Sequence, residues 1–164
     1  MNYTRVLRVA YQAGIAACIA AHRAYSQTVP PVFSEYRIDA IVDGGMAAEV
    51  GMGRQLALDY YVRLGLTGAV GASRRAGVTK TSGRVDVVAR YLLDPFRELG
   101  WGFSLGGGVS AAYTDGDAHV HPYLTVVADL EGRRRRGISP AVQLGLGGGA
   151  RIGLAFRTSK GQSR

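Results

Sequence analysis

The sequence predicts an all-β domain: an antiparallel meander closing into a small β-barrel of six to eight strands. Three observations carry that expectation. From Tyr36 to Phe156, apolar and polar or small residues alternate with a period of two. The runs are joined by short segments of turn chemistry, which makes successive strands antiparallel neighbours. No stretch reaches the roughly 18 apolar residues of a spanning helix, so this chain could enter a membrane only through strands.

The segments come in the following order. Met1 to Arg8 is a short start carrying Arg5 and Arg8, followed by the mostly apolar Val9 to Ala21 and then by Ala24-Tyr25-Ser26. A basic start, an apolar stretch and small residues at a cleavage point are the layout of a secretory signal, so 1–26 reads as a signal peptide or leader cleaved near Ser26. Ile15-Ala16-Ala17-Cys18 is also similar to a lipobox, in which Cys18 would be lipidated. An ordinary amphipathic or disordered leader is the third reading. Residues 27–35 read as a linker, with Thr28-Val29-Pro30-Pro31-Val32 extended.

The barrel domain is expected over 36–157. Its first run places Tyr36, Ile38, Ala40, Val42, Met46, Ala48, Val50 and Met52 on one face, with Arg37, Asp39, Asp43 and Glu49 on the other. After Gly53-Arg54-Gln55, read as a turn, Leu56 to Val70 continues the pattern with Asp59 and Arg63 on the polar face. Ser73 to Gly83 reads as a link. The third run sets Val85, Val87, Ala89, Tyr91 and Leu93 against Asp86, Val88, Arg90 and Leu92. Trp101 to Tyr113 and Val120 to Leu130 follow, the latter with Asp129 on its polar face. The last run, Ile138 to Phe156, carries Gln143, Arg151 and Arg157 opposite its apolar residues, and 158–164 is a polar tail. This gives six long runs. The first and last are long enough to split, and Gly147-Gly148-Gly149 is a candidate turn; six strands could also close by oligomerising.

The faces suggest the solvent. A soluble barrel coats its outside with Lys, Glu, Thr and Asn. Here the polar face is mostly Gly, Ala, Ser and Thr, with scattered opposite charges. Asp39, Asp43, Asp59, Arg63, Asp86, Arg90, Asp129 and Arg151 are therefore the candidate charge network of a narrow lumen, where buried charges need partners. Trp and Tyr near the run ends suit the borders of an apolar membrane band. A soluble sandwich or barrel with these aromatics in its core is the alternative.

Composition narrows the function classes. The net charge is +8, carried almost entirely by arginine. The charges do not gather on one element, so a nucleic-acid partner is not expected. The single cysteine excludes an intrachain disulfide and a multi-cysteine zinc site. His119 and His121 share a strand face but lack an identifiable third ligand, and Ser104 and Ser110 lack a His-Asp arrangement. Gly145-Leu146-Gly147-Gly148-Gly149 is not followed by a helix pattern, so it reads as strand or turn rather than a dinucleotide loop. No catalytic residue, metal or cofactor is expected. Arg133, Arg134, Arg135 and Arg136 lie between Gly132 and Gly137 and read as a basic loop, or as a clamp for lipid phosphates.

The alternating strands, Leu105-Gly106-Gly107-Gly108-Val109, Leu144 to Gly149 and Ile152-Gly153-Leu154-Ala155-Phe156 resemble the small bacterial outer-membrane β-barrel proteins of eight-stranded type. The resemblance spans about Tyr36 to Arg157. Gly149-Ala150-Arg151-Ile152-Gly153-Leu154 is similar to that family's C-terminal insertion signal, although here the chain continues past Phe156 to Arg164. The resemblance implies an outer-membrane location, with membrane lipid and the outer-membrane assembly machinery as partners. That family includes adhesins, structural anchors, narrow pores and lipid-modifying enzymes. Because no catalytic site is legible in this sequence, a structural, adhesive or narrow-pore role without catalysis is expected, with a lipid-acting membrane enzyme as the third reading. The alternative is an exported, periplasmic or secreted soluble β domain that binds an apolar small ligand inside.

Overall fold

Eight strands follow one another around a closed antiparallel barrel. The structure, a computed structural model, describes residues 32–94, 100–116, 119–133 and 137–159. The expected leader, Cys18 and most of the linker lie outside these residues. The strands are β1 (Val32–Val42), β2 (Met46–Ala57), β3 (Val62–Arg75), β4 (Val78–Leu92), β5 (Gly102–Thr114), β6 (His121–Glu131), β7 (Ile138–Leu146) and β8 (Ala150–Ser159). Each pairs with its sequence neighbour, and β1 closes on β8 through Tyr36 opposite Phe156 and Ile38 opposite Leu154.

The strand number rises from six to eight because the two long runs each fold into a hairpin. The first turns at Asp43-Gly44-Gly45 and the last at Gly147-Gly148-Gly149. Both loops have three residues, so inward parity stays odd across each, and alternation alone passes straight through them. All three glycines of the second loop have positive φ, a backbone that L side chains rarely adopt.

Four sequence expectations change. Gly53-Arg54-Gln55 is not a turn but lies within β2, paired with Thr67, Leu66 and Gly65 of β3. The chain turns later, between Ala57 and Val62, where Asp59 Oδ1 accepts the backbone N–H groups of Tyr61 and Val62 at 2.7 and 2.6 Å. The Ser73 to Gly83 link is almost entirely strand, because β3 and β4 meet in a two-residue turn at Ala76-Gly77. Both of those residues have positive φ, 49° and 82°, as a tight turn matched to strand twist requires. Finally, β1 begins at Val32 rather than Tyr36.

The barrel has two ends. The terminal end carries the start of β1, the finish of β8 and the links after β2, β4 and β6. The far end carries the hairpin turns after β1, β3 and β7 and the β5–β6 connection. Outward residues are mostly apolar and exposed, with Leu124 78% exposed and Leu144 55%; Arg54 of β2 and Arg74 of β3 are charged exceptions. Exposed aromatics gather toward the terminal end, with Tyr36, Tyr91, Trp101, Phe103 and Phe156; Tyr61 stacks on Tyr91 with centroids 5.8 Å apart. At the far end Tyr113 alone, among the described residues, stands on the outer face. The aromatic border is thus much stronger at one end than at the other.

Candidate functional site

Inward positions are odd on β1, β2, β3, β6, β7 and β8, and even on β4 and β5. That parity sends Glu35, Asp39, Glu49, Asp86, Asp129 and Glu131 into the lumen with Arg37, Arg63, Arg84, Arg90, Arg151 and Arg157. Six carboxylates meet six guanidinium groups among the described residues. The lumen is therefore neutral, and the chain's excess positive charge lies outside it.

The charges form two clusters. Toward the terminal end, Arg157 reaches Glu35 at 2.8 Å, Glu131 at 3.0 Å and Asp129 at 3.2 Å. Arg90 Nε donates to Asp129 at 2.8 Å, and Arg63 pairs with Glu131 at 3.1 Å while lying 4.7 Å from the Phe33 ring centroid. Toward the far end, Asp39 holds Arg37 at 2.8 Å and Arg84 at 2.6 Å. Asp86 holds Arg151 at 2.8 Å and accepts the Ser110 hydroxyl at 2.6 Å, while Arg84 also reaches Glu49 at 3.3 Å. Gln143 joins the clusters, accepting from Arg37 and donating to Asp129; Gln55 donates to Glu35. Charge-assisted bonds of this kind are about twice as strong as neutral ones, and here they offset the cost of burying twelve ionised groups.

Glycine makes the space. A Cβ at Gly65 would come 2.6 Å from Arg90 Nη1, at Gly145 2.9 Å from Arg151 Nε, and at Gly153 2.1 Å from Asp39 Oδ1. The charged side chains lie across bare backbone. Between the clusters Val88 and Val127 are buried as an apolar filling at mid-barrel.

Of the expected network, Asp39, Arg63, Asp86, Arg90, Asp129 and Arg151 stand in the lumen. Asp43 and Asp59 do not. Asp43 has inward parity, but β1 ends at Val42, so it sits exposed in the turn and pairs with Arg75 at 3.3 Å. Asp59 is exposed in the β2–β3 turn described above. The candidate network omitted Glu35, Arg37, Glu49, Arg84, Glu131 and Arg157. Arg37, Glu49 and Arg157 already lay on the polar face by alternation. Glu35, Arg84 and Glu131 were hidden by strand ends placed too far inward.

Arg133 is exposed, with its side chain beside Gly100; Arg134 to Arg136 lie outside the described residues. His119 and His121 are exposed at the far end, where β6 begins. Among the described residues no group of three or more His, Cys, Asp or Glu side chains is placed to hold a metal ion.

The fold and lumen define a class: an eight-stranded antiparallel barrel with an apolar outside and a charged, packed inside. Solved β-barrel structures are similar to this chain in fold. The N-terminal β-barrel domain of Pseudomonas aeruginosa OprF superposes with a TM-score of 0.56 at 14% identity, covering 80% of this chain and 99% of that one. Neisserial surface protein A gives 0.52 at 11%, covering 80% and 97%. A de novo designed transmembrane β-barrel gives 0.54 at 16%, covering 81% and 98%. At these identities the likeness is one of fold. No protein-family model and no curated protein matches the sequence.

Proposed function

We propose that this chain is a non-enzymatic bacterial outer-membrane β-barrel, shut by its own ion pairs, that serves as a structural or adhesive anchor rather than an open channel. The carrying observation is the inverted polarity of the wall. Leu124, Val126, Leu144 and Ile152 face outward and exposed, while twelve charged side chains are enclosed. In water such a surface is one large apolar patch; in a bilayer it is the lipid-facing band. The similar fold of the OprF domain and surface protein A supports the outer membrane as the bilayer, with its assembly machinery as the partner in insertion.

The test has two stages. Denatured protein is diluted into plain buffer and into detergent micelles. The reading requires aggregation in the first and a folded, heat-modifiable band in the second. A soluble monomer that melts cooperatively in plain buffer overturns the membrane reading in favour of an exported soluble β domain. Folded protein is then placed in planar bilayers, where steady single-channel conductance would refute the closed lumen.

A further inference from the structure

A cup of about 350 Å³ forms the far mouth of the lumen. Ser73, Lys80, Thr114 and His121 line one side of it, and Asp43 and Gly148 close it across the barrel. Tyr123, two residues deeper on β6 than His121, floors it. The Tyr123 ring packs against the turn after β7, where a Cβ at Gly148 would come 2.5 Å from Cζ. Below that floor lie the paired charges of the lumen, so the cup is a dead end rather than the entrance of a channel.

Its charge differs from that of the lumen beneath. Arg37, Arg63, Arg84, Arg90, Arg151 and Arg157 each lie 3.1 Å or less from a carboxylate oxygen. Lys80 also has inward parity, directly opposite Ser73 of β3. Its Nζ stands 3.0 Å from the place of a Cβ at Gly116, and among the described residues it has no carboxylate partner. Asp43 is the carboxylate in the lining, and Arg75 engages it at 3.3 Å and its carbonyl at 2.6 Å. Both contacts are made by Nη2, which leaves Nη1 and Nε of Arg75 without a partner among the described residues. The mouth thus holds one positive charge more than its carboxylate balances.

We propose that the far mouth is a binding site for a small, water-soluble phosphate-bearing solute, seated between Lys80 and Arg75. Ammonium, guanidinium and the hydroxyls of Ser73 and Thr114 approach from three adjacent strands, which suits the three terminal oxygens of a phosphate better than the two of a carboxylate. A concave, low-dielectric wall of one sign concentrates anions in it. The volume lies in the range of small-ligand sites, roughly 300–1,000 Å³. A lipid headgroup carries the same chemistry, but the cup opens along the barrel axis into water and not through the wall. The site goes beyond the anchor reading and is independent of what surrounds the wall.

Protein folded in non-ionic detergent is titrated with inorganic phosphate, glycerol phosphate, acetate and dioleoyl phosphatidic acid at constant ionic strength, and followed by amide NMR shifts. Phosphate and glycerol phosphate should saturate one site and move Ser73, Lys80 and Thr114; acetate should bind about tenfold more weakly. Lys80→Gln, which breaks no ion pair among the described residues, should weaken glycerol phosphate about tenfold while keeping the heat-modifiable folded band. Lys80→Arg should retain binding. Thr114→Trp, which fills the cup without removing a charge, should abolish it. Shifts that rise without saturation, or a Lys80→Gln variant that binds as wild type does, overturn the proposal. So does acetate binding as tightly as phosphate. Phosphatidic acid bound more tightly than glycerol phosphate also overturns it, because the acyl chain and not the cup would then be the part recognised.

Discussion

On β6, Thr125, Val127, Asp129 and Glu131 turn inward and are buried, while Leu124, Val126 and Leu130 turn outward and stay exposed. The same contrast runs round all eight strands. Inside, nearly every polar group depends on a particular partner at a particular distance. Outside, the apolar side chains stand free of protein and depend only on the surrounding solvent being apolar. The inner face should therefore be sensitive to the loss of a single group or the gain of a single methyl. The outer face should be sensitive to charge and tolerant of volume.

The largest effect should follow from removing a shared inner partner. Asp129 accepts from Arg90, Ser104 and Gln143 and lies 3.2 Å from Arg157. Asp129→Ala leaves two buried guanidinium groups short of a counter-charge, at a cost of about 3–5 kcal/mol. Urea unfolding from detergent micelles measures it. A loss below about 1 kcal/mol would mean that the lumen is wet enough to screen its charges, and the contrast between the faces would weaken.

On the outer face, charge is the perturbation that matters, and depth sets its size. Val126 is the central residue of β6, whereas Leu124 lies two residues closer to the far end. Val126→Arg should cost about 2–4 kcal/mol in lipid vesicles, and Leu124→Arg less. Equal costs at both depths would point to a burial effect unrelated to a bilayer.

The fold class, the face assignment of each long run and six of the eight proposed lumen charges were legible from alternation alone. A period of two is a direct consequence of strand geometry, and the wall of a barrel is nothing but strands. The strand count was not. Three-residue turns at Asp43-Gly44-Gly45 and Gly147-Gly148-Gly149 preserve parity, so an alternating run and a hairpin look the same. Turn-like composition also misled at Gly53-Arg54-Gln55. There Gly53 is a lumen glycine, kept small because a Cβ would come 2.4 Å from the Leu66 carbonyl oxygen, and Gln55 is an inward ligand of Glu35. Which arginine meets which carboxylate depends on barrel closure and strand stagger, which bring Arg157 to Glu35 across 122 residues of sequence.

Adjacent glycines on opposite faces of β5 sharpen the comparison at a smaller scale. A Cβ at Gly108, on the inner side, would lie 1.9 Å from the Val87 carbonyl oxygen, while one at Gly107, on the outer side, meets nothing closer than 3.8 Å. Gly108→Ala should cost about 1–3 kcal/mol through overpacking. Gly107→Ala should be neutral or stabilise by a few tenths to about 1 kcal/mol, because it restricts the unfolded chain. Similar effects from the two substitutions would show that the wall relaxes freely and that lumen packing is loose.

The smallest effect is expected where the contrast between inside and outside vanishes, at the rim. Arg75 and Asp43 approach to 3.3 Å, the separation of Arg84 and Glu49 in the lumen, yet their side chains are 66% and 49% exposed rather than buried. Water and salt screen the rim pair, and fixing two mobile side chains offsets much of the attraction, so it contributes about 0–1 kcal/mol. Arg75 also donates to the Asp43 carbonyl, a bond that Asp43→Asn leaves in place. The substitution should therefore shift the urea midpoint very little, and raising the salt concentration should remove the remaining difference from wild type. Glu49→Gln applies the same chemical change to a buried partner of Arg84 and Ser82. Its effect should be several times larger and nearly independent of salt, because the lumen excludes the ions that screen the rim.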